Sequence, residues 1–192
     1  MKKLLSLAAA VLCFTLMATG CGKTASPEEV VTNGLTAIKN IDTENMGTYF
    51  DSEDLFGADF ELNREDESTK LLVDKLAFKV VSSQINGDTA TVTTEITNID
   101  MSYVMGEFLS QAITAVFENA GSEEEINEED FDSKTEQILL DIMGNADVQT
   151  TTLTADISLV KADGKWKISV DETFQNALFG GLIDAQKGLG GN

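Results

Sequence analysis

From Leu76 onward the hydrophobic pattern changes from helical spacing to strict alternation, and each of two alternating stretches closes on a turn signal. Leu76, Phe78 and Val80 alternate with polar neighbours up to Ile85. Asn86-Gly87 follows, a hairpin signal because both residues accept positive φ. Thr89 to Ile99 returns with Ala90, Val92 and Ile96 on one face and Thr91, Thr93, Glu95 and Thr97 on the other. The pattern recurs from Thr150 to Lys161, where Leu153, Ala155, Ile157 and Leu159 share a face. Ala162-Asp163-Gly164-Lys165 turns that strand into Trp166, Ile168 and Val170. Two hairpins with one polar face each suggest one antiparallel sheet covered by helices on its other face. The expectation is an α+β fold: a curved antiparallel sheet of about four strands packed against helices, with the strand order left open.

The helices flank and interrupt the strands. Ser26-Pro27-Glu28-Glu29 is a helix start with cap, N1 proline and capping-box glutamate, and Val31, Leu35 and Ile38 carry it to about Asn40. Asp42 is placed to cap a short helix through Met46, Tyr49 and Phe50, and 51–63 reads as a loop pinned by Leu55, Phe56 and Phe60. A third helix spans about Asp66 to Leu76. Asp100 or Ser102 caps the longest helix, where Met105, Leu109, Ile113 and Val116 form one apolar ridge beside Val104, Phe108, Ala112 and Phe117. It ends at Gly121, and another helix runs from about Asp132 to Met143. Glu172 to Lys187 has helical spacing weakened by Gly180-Gly181. These elements make one domain, 27–187, with a flexible tail at 188–192.

The first residues have a different character. Met1-Lys2-Lys3 precedes an apolar stretch from Leu4 to Met17, too short to span a bilayer, and then Ala18-Thr19-Gly20-Cys21. Small residues before a cysteine resemble the lipobox of bacterial lipoproteins, although Ala18 stands where leucine is most usual. The resemblance implies a signal peptide at 1–20, lipid attachment at Cys21, a short tether over 21–26, and a place on the outer face of the cell membrane. The five residues Gly22 to Ser26 reach about 17 Å when extended, so the domain would lie close to the bilayer. Two acyl chains give stable attachment where one is marginal.

Composition removes whole classes of chemistry. The chain has no histidine and two cysteines, Cys13 in the leader and Cys21, so the body carries no imidazole, thiol or disulfide. Nucleic acid is excluded as a partner, because phosphate affinity comes from Lys and Arg and the chain has a single arginine, Arg64. Losing Lys2 and Lys3 leaves 11 of the 13 basic residues against 33 acidic ones, so the most acidic face is expected to point away from an anionic membrane. The acid-rich segment 118–132 lacks the alternating ligands and central glycine of a calcium loop and reads as solvated chain. No metal or other cofactor is expected.

The segment Asp163-Gly164-Lys165-Trp166-Lys167-Ile168, near the end of a helix-then-strand order, resembles the nuclear-transport-factor-2-like (cystatin-like) folds. More narrowly the chain is similar to small lipoproteins of Firmicutes with uncharacterised domains of this class, which often end in a Gly-Gly-containing helix such as Leu178-Phe179-Gly180-Gly181-Leu182. It departs from the simplest pattern by inserting two helices, 100–143, between the hairpins. The resemblance implies a cone between sheet and helices with Trp166 packed into it. Enzymes of this fold that isomerise or dehydrate small molecules use an Asp or His base in that cone. Here histidine is absent, and strand parity sends Glu95 and Asp156 to the opposite face. The expected role is therefore non-catalytic binding of a small ligand or an envelope protein, with an isomerase or dehydratase as the alternative. By the same parity Ser82 and Gln84 of the first strand and Thr94 and Asn98 of the second point inward. Phe78, Ser82, Thr94 and Trp166 are the candidate ligand-binding residues.

Overall fold

A computed structural model of the chain describes residues 24–52, 62–120 and 128–190. The expected signal peptide, Cys21, the pins Leu55, Phe56 and Phe60, and the centre of the acidic segment lie outside the described residues.

Helix α1 (Pro27–Lys39) begins with the expected capping box: the Ser26 hydroxyl accepts from the Glu29 backbone, and the Ser26 backbone donates to the Glu29 carboxylate at 2.8 Å. Its buried face, led by Val31, Leu35 and Ile38, lies on the sheet. Gly34 permits this approach, because a Cβ there would sit 2.8 Å from the Ile168 side chain. Helix α2 (Thr43–Tyr49) follows a tight reversal in which Ile41 adopts a positive φ of 50° and its carbonyl accepts from Arg64 Nε at 2.8 Å. The reversal leaves Asp42 at φ −90°, ψ 71°, outside the extended conformation a cap needs. Its carboxylate accepts from the Asn45 amide instead and makes no cap bond, contrary to the sequence expectation. Helix α3 (Glu67–Asp74) is capped by Asp66, which accepts from the Thr69 backbone and the Ser68 hydroxyl, both at 2.6 Å.

Strands β1 (Ala77–Asn86), β2 (Thr89–Ile99), β3 (Thr150–Ala162) and β4 (Lys165–Ile168) form an open antiparallel sheet in the order β1-β2-β3-β4. The order left open by the sequence is thus sequential. β2 and β3 pair from Thr89↔Val160 to Ile99↔Thr150 and join the two hairpins into one layer. Asp163 and Gly164 both take positive φ, the geometry of a tight hairpin turn. In the first hairpin only Gly87 does, while Asn86 remains in the strand, paired with Thr89.

Helices α4 (Met101–Ala120) and α5 (Glu128–Met143) interrupt the sheet between β2 and β3. Asp100 caps α4, its carboxylate accepting from the Ser102 and Tyr103 backbones at 2.9 and 3.2 Å. Helices α6 (Glu172–Leu178), capped by Asp171, and α7 (Leu182–Leu189) replace the single terminal helix that spacing alone suggested. Gly180 and Gly181, at φ 55° and 84°, break it.

Among the described residues two apolar cores result. The larger lies between the sheet and α1, α2 and α6, around Leu35, Ile38, Val92, Ile96, Ile157 and Ile168, with Phe50 and Phe174 stacked at 6.2 Å. Each fully buried Leu, Ile or Phe there contributes about 1.5–3 kcal/mol. The smaller lies under α3, α4 and α5, around Leu72, Ile99, Met101, Val104, Ile142 and Met143. The outer sheet face is polar: Lys79 pairs with Glu95 at 3.2 Å, and the Thr93 hydroxyl donates to Asp156 at 2.7 Å. Glu95 and Asp156 therefore sit where parity placed them.

Candidate functional site

The inward parity of β1 holds only as far as Val80. Val80 faces Thr94 across the ladder, yet Ser82, not Val81, faces Thr93, so Val81 is an extra residue in a β-bulge. Every side chain beyond it changes face. Ser82 and Gln84 are exposed, and Ser83 takes the inner position opposite Val92. The inward placement of Ser82 is thus overturned by one inserted residue. The Ser83 hydroxyl instead donates to Glu28 at the start of α1 and, as the largest influence, holds that carboxyl below the ordinary range.

The other three candidates are scattered. Phe78 lies half-buried on the edge strand opposite Ile96. Thr94 is fully buried in the sheet centre, and its hydroxyl makes only a long 3.4 Å bond to the Val92 carbonyl. Trp166 is 7 % exposed, with the Lys161 ammonium 5.3 Å from its ring centre. It forms one wall of an open groove of about 440 Å³ with Ala25, Val30, Tyr49 and Lys165, whose rim is Thr24, the first described residue. Phe78, Ser82, Thr94 and Trp166 therefore do not line one pocket. Asn98 is buried by its own bonds: its amide donates to the Leu178 carbonyl at 2.7 Å, and its side-chain oxygen accepts from the Ile99 backbone at 2.9 Å.

The structure instead gathers a site in the smaller core. A cavity of about 270 Å³ is lined by Leu72, Met101, Leu139, Met143, Phe179 and Leu182, with Ser68 as its one hydroxyl side chain among the described residues. Four elements and a turn meet there: α3 supplies Ser68 and Leu72, α4 its first residue, α5 Leu139 and Met143, the α6–α7 turn Phe179, and α7 Leu182. Two unbranched methionines and a phenylalanine make an adaptable apolar wall. Ser68 is already committed, donating to Asp66. That bond is the leading influence holding the Asp66 carboxyl below its ordinary range, with Thr69 adding to it. Next to Ser68, the Thr69 hydroxyl is fully buried with no partner among the described residues. A gap of about 10 Å³ lined by Ile38, Leu76, Asn98 and Leu178 shares Leu72 and Phe179 with the cavity, enough for about one water molecule.

Chemically this is a site for dispersion contacts. Among the described residues the buried polar side chains are Thr69, Thr94 and Asn98, and no group of three or more acids could hold a metal ion. Among the described residues no helix is long and apolar enough to cross a membrane. Sequence reasoning missed the cavity because its walls come from segments more than a hundred residues apart, each reading as ordinary helix core.

No curated protein and no solved structure matches this chain. The model of a domain of unknown function (DUF5105) matches residues 62–183, a span that includes the whole sheet, the α4–α5 insertion and every residue lining the cavity. The match covers well over half of the chain, and the chain belongs to that family.

Proposed function

We propose that this protein is an extracytoplasmic lipoprotein, anchored by lipid at Cys21 to the outer face of the cell membrane, that binds a small apolar ligand in the α3–α4–α5–α7 cavity. The anchor reading is supported by the basic start, the short apolar stretch and Ala18-Thr19-Gly20-Cys21. A nuclear-transport-factor-2-like, Firmicutes-type affiliation is part of the same proposal, supported by the Asp163–Ile168 hairpin and the sheet packed on helices. The observation that carries the binding role is the cavity itself: about 270 Å³ and, among the described residues, apolar but for one hydroxyl that is already hydrogen-bonded. Concave apolar space with few polar groups is the usual form of a small-molecule site. A non-catalytic role fits Asp66, the acid bonded to the cavity's serine. Its carboxyl is held ionised, which suits a helix cap better than proton transfer near neutral pH.

The test is titration with the neutral fluorophore N-phenyl-1-naphthylamine. Saturable enhancement is expected in the native protein, and its loss is expected in Leu139→Trp, whose larger side chain fills the space while the fold is retained by circular dichroism. Undiminished enhancement in a folded Leu139→Trp protein would reject the cavity as the site. For the anchor, Cys21→Ser is expected to abolish palmitate labelling, and persistent labelling would reject it.

A further inference from the structure

The hydroxyl in the cavity wall has a direction. An ionised carboxylate only accepts hydrogen bonds, so Ser68 is the donor in its 2.6 Å bond to Asp66 Oδ2. That bond uses the single hydrogen of the hydroxyl, and Ser68 Oγ has only lone pairs left to offer. The Thr69 backbone donates to the same carboxylate oxygen at 2.6 Å, which holds the acceptor in place. The other heteroatoms among the lining side chains are the sulfurs of Met101 and Met143, which are weak acceptors. Among the described residues, therefore, the side chains of the wall present acceptors and no donor. They include no cation either. Lys70, whose field reaches Asp66, is exposed and donates to the Glu65 carbonyl at 3.3 Å. Burial gives the wall a depth: Leu72, Met101 and Met143 are buried, whereas Ser68, Leu139, Phe179 and Leu182 are half-buried. Ser68 stands one turn from Leu72 on α3, so the hydroxyl belongs to the outer part of the cavity and hydrocarbon lies behind it.

We propose that the cavity selects apolar molecules with a hydrogen-bond donor at one end, long-chain primary alcohols above all, which place their hydrocarbon against Leu72, Met101 and Met143 and donate the hydroxyl hydrogen to Ser68 Oγ. This deepens the cavity-binding reading and rests on it. A donor at that place extends the bond from Ser68 to Asp66 into a chain, in which each bond polarises the next. An ether or ester oxygen there meets the lone pairs of Ser68 with no hydrogen between them, and a buried acceptor left unpaired is costly. A carboxylate meets the Asp66 charge as well, with no cation in the described wall to offset it.

The test is displacement of N-phenyl-1-naphthylamine from the protein by two isomers, 1-octanol and methyl heptyl ether. They contain the same atoms, and only the alcohol donates. Half-displacement by 1-octanol is expected at a concentration about three- to tenfold lower than by the ether, the worth of one hydrogen bond. Octanoate is expected to need at least about tenfold more than the alcohol. In Ser68→Ala, checked for its fold by circular dichroism, the two isomers are expected to agree within about twofold. Ser68→Thr, which keeps a hydroxyl, is expected to retain the preference. Equal displacement by the isomers in the native protein, or octanoate as effective as octanol, would overturn the inference and leave the cavity standing as a site. So would a preference for the alcohol that persists in folded Ser68→Ala. A native protein that gives no saturable enhancement of the fluorophore would reject the cavity reading itself, and this inference with it.

Discussion

Gly180 and Gly181 are adjacent, both in the left-handed region, and the structure assigns them different costs on substitution by alanine. At Gly181 an added Cβ would meet only Leu153 Cδ1, at an ordinary 3.8 Å. The expected penalty is the left-handed backbone alone, about 1–2 kcal/mol. At Gly180 the same atom would lie 1.8 Å from the Ile99 carbonyl oxygen and 2.9 Å from its carbon. These are backbone atoms at the end of β2 and cannot swing aside. The turn would have to withdraw, straining the bond from the Met101 backbone to the Gly180 carbonyl at 3.0 Å and that from Asn98 to the Leu178 carbonyl at 2.7 Å. Two weakened bonds at about 1 kcal/mol each, added to the same left-handed backbone penalty, bring Gly180→Ala to about 3–4 kcal/mol. That is a large share of the roughly 5–15 kcal/mol by which a domain is stable. Urea unfolding of residues 24–192 followed by circular dichroism measures both variants, and equal m-values keep the comparison sound. Penalties for the two alanine variants within about 1 kcal/mol of each other would refute the docked-turn reasoning.

The buried polar groups of β2 should part in the same way. Asn98→Ala, which removes two good bonds, is expected to lose about 2–4 kcal/mol in urea melts, while Thr94→Val is expected to be nearly neutral because its single bond is long. A Thr94→Val loss as large as that of Asn98→Ala would contradict the assignment. Asp66→Asn tests the cap of α3. Its folded carboxyl lies below the ordinary range, so its charge stabilises the native state fully above the unfolded value of about 3.9, and that contribution disappears as pH falls through the lower folded value. The melting temperature of Asp66→Asn should therefore sit below that of the native protein from pH 7 to about 5 and converge with it under acid. A gap that does not change between neutral and strongly acidic pH would rule the charge out as its cause.

The sequence carried much of the architecture because the strand signals are local. Asp163-Gly164 dictates its turn, Ser26 and Glu29 their capping box, and the threonine-rich alternation of 89–97 its outer face. Three features needed the folded chain. The bulge at Val81 sits in Val80-Val81-Ser82-Ser83, where two like pairs hide a shift of one residue. Asp42 looks like a cap, but the reversal at Ile41 sets its backbone elsewhere. Strand order depends on the pairing of β2 with β3, which no local residue signals. Of the site less was legible. Thr94 and Trp166 are inward as expected, yet the cavity arises where helices distant in sequence fail to fill the space between them. The apolar stripe of α4 was visible as a stripe, but nothing in its spacing told that only its base would be covered.

The insertion leaves and rejoins the sheet at one point, where the Asp100 backbone donates to the Gln149 carbonyl at 2.8 Å, just beyond the last rung of the β2–β3 ladder. This clasp makes the ladder's alignment independent of what lies between its two stalks. A change in the length of the 101–148 insertion therefore leaves the rungs facing one another, at a loop-closure cost of about 0.6 kcal/mol for each doubling of length. Lineages could therefore remodel this appendage, and whatever it grips, without disturbing the scaffold that carries it.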